Sequence, residues 1–172
     1  MTGLRIESLC AELTSFVPGR ALDDDGAVLL RFAGGARGVL TCSQVCVGEG
    51  NNLSIRVYGD KGGLAWQQET PESLEFTPLE GETRTLVREG TGLGERAMLA
   101  TRLPAGHPEG YLEAFGNIYL GAIESIHAKR AGRDPTGLGA ETPTIEDGVR
   151  GVRFIELCVE SARGGAVWID WE

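Results

Sequence analysis

The chain has 172 residues, 41% hydrophobic and 24% charged, a globular composition long enough to build an ordinary core without a metal or disulfide staple. Sixteen Lys and Arg against 25 Asp and Glu leave a formal charge of −9, and such a surface repels phosphate backbones and anionic lipid. Nucleic acid and membrane surfaces are therefore not expected partners, and no run approaches the roughly 20 apolar residues of a membrane span.

In chain order, the first 88 residues read as strands. Leu4 to Thr14 is the first, ending near Pro18-Gly19. Asp23-Asp24-Asp25 then reads as a solvated turn, because the residues that follow supply no further carboxylates at calcium-ligand spacing. Val28, Leu30 and Phe32 alternate with their neighbours at period two. Gly34-Gly35 reverses the chain into Arg37 to Val47, a hairpin whose turn needs the positive φ that glycine reaches. Leu53, Ile55 and Val57 begin the next strand, and a glycine-rich turn over 59–63 leads to Leu64-Ala65-Trp66. Shorter strands follow at 73–77 and 84–88, so the connections predict antiparallel pairing and not repeated βαβ units.

Residues 89–106 read as a loop. From Tyr111 a helical stripe of Tyr111, Phe115, Ile118, Tyr119, Ala122 and Ile126 marks a first long helix. After a second loop, Thr144 with Asp147 three residues on predicts a capped second helix with Ile145, Val149, Val152, Ile155 and Val159 on one stripe. A last strand closes the chain over 166–171. The expectation is a single α+β domain, residues 1–172, with a large, mainly antiparallel open sheet and two long helices on one face. The other face, with Leu40, Cys42 and Cys46 among its residues, then needs a partner.

Chemistry-bearing motifs are sparse. Gly90-Thr91-Gly92-Leu93-Gly94-Glu95 approaches a dinucleotide fingerprint, but its third glycine is Glu95 and no parallel strand precedes it. Two separated histidines, His107 and His127, cannot assemble a histidine-based metal triad, and no serine elbow occurs. Cys10, Cys42, Cys46 and Cys158 lie in apolar patterns without a Cys-x-x-Cys spacing, as buried free thiols of a cytoplasmic protein would. Met1 to Glu7 shows no basic and then apolar leader pattern, in keeping with that compartment. One polar group stands out. His107, within Gly106-His107-Pro108-Glu109-Gly110, places an imidazole just before a helix, in a segment whose glycines let a ligand approach. A purely packing or capping role for that histidine remains open at this point.

The ordered set of segments resembles the C-terminal domain of the Gfo/Idh/MocA oxidoreductases, the glucose–fructose oxidoreductase and inositol dehydrogenase family. The set runs through Asp24-Asp25-Gly26-Ala27, Leu29 to Phe32, Gly35 to Leu40, Val57 to Gly62 with Trp66, Gly106 to Tyr111 with Ala114-Phe115, and Pro143-Thr144 with Asp147-Gly148. The resemblance implies a Rossmann partner domain that binds NAD or NADP, and a sugar, polyol or related carbohydrate as substrate. It also implies subunit contacts through the open sheet face, giving a homo-oligomer, and a substrate border formed by His107 and Tyr111. The family's Glu-Lys-Pro lysine and Asp-x-x-x-His pair have no counterpart here, so no catalytic residue, metal or cofactor site is expected in this chain alone. A stand-alone binding or assembly module derived from that domain is the alternative.

Overall fold

The structure, a computed structural model, describes residues 2–88 and 92–171. It falls into two compact units. One comprises residues 1–48 and 143–172, the other residues 49–142.

The first unit holds a four-stranded antiparallel ladder of β1 (Ile6–Thr14), β2 (Asp25–Phe32), β3 (Arg37–Ser43) and β8 (Ile169–Asp170), in the order β3-β2-β1-β8. The β2–β3 hairpin turns at Gly34 and Gly35, whose φ values of 82° and 91° lie where only glycine is unstrained. α3 (Ile145–Arg163) packs on this ladder. Its start is the capping box predicted from sequence: the Asp147 N–H donates to Thr144 Oγ1 at 3.3 Å, and the Thr144 N–H donates to Asp147 Oδ2 at 2.9 Å.

The packed side of α3 is not the expected stripe. Leu157 and Cys158 join Leu9, Ala11 and Val28 in the core, with Phe154 against them, whereas Ile145, Val149, Val152 and Ile155 are exposed. At about 100° per residue the two sets lie roughly half a turn apart, so α3 carries two apolar faces. The periodicity picked the more aliphatic one. The face that packs carries Phe154, Leu157 and Cys158, and Ser161 on it completes the strand edge. Among the described residues, the outer edge of β1 has no strand neighbour beyond the two residues of β8. There Ser161, fully buried, accepts from the Ala11 N–H at 2.8 Å and donates to the Val167 carbonyl at 2.6 Å.

Cross-strand register also relocates Leu40 and Cys42. Leu40 pairs with the core residue Val28, and Cys42 with Gly26, and directly opposed residues share a face. Both therefore stand on the side that α3 covers. The other side carries Leu29, Val39, Arg31 and Arg37, and the Arg31 guanidinium lies 3.7 Å above the Trp168 ring. Of the four cysteines, all free, only Cys158 is buried, and burial pushes its thiol pKa up; Cys42 and Cys46 are exposed. The acidic turn is likewise only partly solvated. Asp24 is buried and accepts from the Phe16 N–H at 2.8 Å, the Val17 N–H at 3.1 Å and Arg20 at 3.1 Å. Those bonds, led by the Phe16 N–H, hold its carboxyl below the usual aspartate range.

The second unit holds the ladder β4 (Ser54–Gly59), β5 (Gly62–Gln67), β6 (Ser73–Pro78) and β7 (Arg84–Val87), paired antiparallel in sequence order. Register gathers Ile55, Val57, Leu64, Trp66, Leu74, Phe76 and Leu86 on one face, and none of them is fully buried. The segment expected as a loop contains a short helix, α1 (Glu95–Ala100). α2 (Tyr111–Arg130) packs through Gly121 and Ala128 on a 3-10 turn over Gly137–Glu141. A Cβ at Gly121 would meet Thr142 Oγ1 and lie 2.7 Å from the Leu138 carbonyl oxygen, so only glycine allows this approach. Glu124, also on α2, accepts from Arg133 and from the Thr136 N–H, which hold its carboxyl below the usual glutamate range. The antiparallel α+β class is the one read from sequence, with the strands divided between two ladders.

Candidate functional site

His107 lies in the loop between α1 and α2, three residues before the helix cap at Gly110. Gly106 takes φ 81°, the positive value that turns the chain there. The His107 N–H donates to the Pro104 carbonyl at 3.1 Å, and the ring Nδ1 lies 3.2 Å from the same oxygen. A carbonyl only accepts, so Nδ1 carries the proton in that contact. In the neutral ring Nε2 then keeps its lone pair, and the exposed imidazole can accept a hydrogen bond from a hydroxyl. Tyr111, in the first turn of α2, is exposed, with its ring centroid 5.0 Å from that of Phe115. The two predicted site residues thus share one loop-to-helix junction. Beside it runs a cleft of about 610 Å³ lined in part by Pro71, Val87, Arg88, Gly106 and Pro108.

The junction is built on charged groups that sequence reasoning missed. Arg88 follows β7 directly, and its backbone N–H donates to the Glu72 carbonyl at 3.0 Å. Its Nη1 donates to the Leu103 carbonyl at 2.6 Å and lies 3.0 Å from the Glu109 carboxylate. Its Nη2 donates to the His107 carbonyl at 2.6 Å and to Glu72 Oε1 at 3.1 Å. Glu109, only 6% exposed in its side chain, accepts from the backbone N–H groups of Arg102 at 2.9 Å and Leu103 at 2.7 Å. Glu72 accepts from the Glu109 N–H at 2.6 Å. At the cap, Glu113 accepts from the Gly110 N–H at 2.9 Å, and that bond is the main cause holding its carboxyl below the usual range. Glu109 lies inside the segment that drew attention to His107, and its charge amid glycine and proline was the available signal.

The chemistry the junction offers is hydrogen bonding and shape, not a complete catalytic set. No group of three or more His, Cys, Asp or Glu suited to a metal occurs among the described residues. The described residues do not fit a nicotinamide dinucleotide. Every strand pairing is antiparallel, so no parallel strand–turn–helix presents backbone N–H groups to a pyrophosphate. Of the glycine-rich stretch before α1, residues 89–91 lie outside the described residues, and the remainder follows the antiparallel strand β7. No helix among the described residues is long and apolar enough to cross a membrane.

The described residues thus form an antiparallel α+β body with a polar loop–helix junction and no dinucleotide cradle. Residues 5–170 match the family model described as "Oxidoreductase family, C-terminal alpha/beta domain". An uncharacterized oxidoreductase of Bacillus subtilis, YfiI, is 34% identical over the whole chain, which spans 44% of that protein. An oxidoreductase structure from Sinorhizobium meliloti is 48% identical with a TM-score of 0.90, covering 97% of this chain and 47% of that one. An inositol dehydrogenase homolog from Azotobacter vinelandii, complexed with NADH and myo-inositol, is 36% identical with a TM-score of 0.88, covering 98% of this chain and 45% of that one. The chain belongs to the Gfo/Idh/MocA oxidoreductase family, as its C-terminal alpha/beta domain. It spans less than half the length of these relatives.

Proposed function

We propose that this chain, residues 1–172 acting as one domain, is the substrate-binding and oligomerisation half of an NAD(P)-dependent oxidoreductase that acts on a sugar, polyol or related carbohydrate. A Rossmann domain supplies the cofactor. His107 and Tyr111 border the substrate, His107 accepting a hydrogen bond from a substrate hydroxyl through Nε2. The observation that carries this reading is the junction itself: an exposed imidazole on a loop anchored by Arg88 and Glu109, whose side chains are 15% and 6% exposed. The inositol dehydrogenase homolog, solved with NADH and myo-inositol, supports the substrate class.

The same reading includes a homo-oligomer through the open sheet faces. Leu29 and Val39 on the first ladder, and the half-covered apolar face of the second, support it, because apolar surface of this kind favours a partner. Four free cysteines support a cytoplasmic setting. The test is a panel of polyols and aldoses offered with NAD and NADP to the enzyme assembled with its Rossmann domain. Cofactor reduction by a polyhydroxylated substrate is expected, and it should fall in His107→Ala. Turnover confined to substrates without hydroxyl arrays would overturn the reading.

A further inference from the structure

Among the described residues the His107 ring hydrogen-bonds to the carbonyl of Pro104, in its own loop, so whatever fixes the backbone of that loop bears on the position of the imidazole. One guanidinium fixes it on both sides of the turn, through the Leu103 carbonyl before it and the His107 carbonyl after it. Arg88 is itself held to β6 and β7 territory by its backbone bond to Glu72 and by the Glu72 and Glu109 carboxylates. Its side chain is 15% exposed, and among the described residues Nε is buried without a hydrogen-bond partner. Two carbonyls and two carboxylates lie around the fork, so the plane of the guanidinium is held from several sides.

We propose that Arg88 is a positioning residue: it sets where the His107 imidazole stands and touches no substrate itself. The proposal rests on the reading that the His107 loop borders the substrate. Lysine cannot replace Arg88, because an ammonium has no planar fork to span two carbonyls and two carboxylates at once.

The test is a double-mutant cycle in the enzyme assembled with its Rossmann domain, using Arg88→Lys, His107→Ala and the pair. Misplacing the imidazole should lower kcat/KM for the polyol or sugar by about tenfold or more, leaving KM for the nicotinamide cofactor unchanged. In the His107→Ala background Arg88→Lys should add less than about twofold, since there is no ring left to position. If Arg88→Lys is silent, or multiplies its full effect onto His107→Ala, Arg88 does not act through His107 and the proposal falls alone. If His107→Ala is itself silent, the substrate-border reading falls and takes the proposal with it. Should Arg88→Lys fail to fold, Glu72→Gln weakens one of the two carboxylate holds on the same guanidinium and enters the same cycle, with the same outcomes.

Discussion

Replacing Ser161 with alanine should destabilise the chain far more than the loss of one oxygen suggests. The Ser161 hydroxyl satisfies the Ala11 N–H at 2.8 Å and the Val167 carbonyl at 2.6 Å, where among the described residues β1 has no further strand to pair with. Ser161 and Ala11 are both fully buried, so water cannot take over. The orphaned Ala11 N–H costs about 1–3 kcal/mol, whereas the carbonyl of Val167, a residue 44% exposed, can turn to water and adds little. For a chain of this size that corresponds to a fall in Tm of roughly 2–12 °C. Urea unfolding followed by circular dichroism reads the change as a lower midpoint at unchanged slope. A loss below about 0.5 kcal/mol would refute the claim that this hydroxyl completes the strand edge.

Other outcomes follow from the same structure. Asp24→Asn should lower stability at neutral pH. Because the native carboxyl titrates below its unfolded value, the wild type holds this stabilisation above the ordinary aspartate pKa of about 3.9 and loses it as pH falls through the lowered one. The gap between wild type and variant in pH-dependent thermal melts should therefore close in acid; a constant gap would contradict it. Gly121→Ala should separate α2 from the 3-10 turn, where the Leu138 carbonyl lies 2.7 Å from the added methyl, and a melting temperature within 1 °C of wild type, about the error of such a scan, would contradict that packing. Thiol labelling of the native chain should modify Cys46 and Cys42 well before Cys158, whose thiol is buried and raised in pKa; equal rates would show α3 to be loosely docked. Calorimetric titration of the isolated chain with NAD and NADP should give no micromolar binding, and a micromolar isotherm would contradict the missing phosphate cradle.

The strands were readable because alternation and glycine turns are local signals. Val28, Leu30 and the Gly34-Gly35 reversal settle β2 and β3 without long-range information. The existence of α2 and α3 was readable for the same reason, down to the Thr144–Asp147 cap. Which side of α3 packs was not, because Ser161 looks a poor core candidate until its bond to the edge of β1 is seen. α1 was missed as a six-residue helix behind a glycine cap. At the junction, the sequence singled out His107 by its unusual neighbours, and the structure places it exposed in the loop before α2. Arg88, Glu72 and Glu109 were not legible, because they bind backbone groups and one another across as many as 37 positions, which leaves no periodic trace. Asp24 hid in the same way, its partners being the N–H groups of Phe16 and Val17.

The claim that this chain forms the substrate side is tested most directly by hydrogen exchange on the assembled enzyme. Exchange would be followed with cofactor present, before and after saturation with a polyol that it turns over. Protected amides should then appear in the loop from Arg102 to Gly110 and the first turn of α2, around His107 and Tyr111. Substrate-induced protection confined to the Rossmann domain, with this junction exchanging as before, would contradict the account.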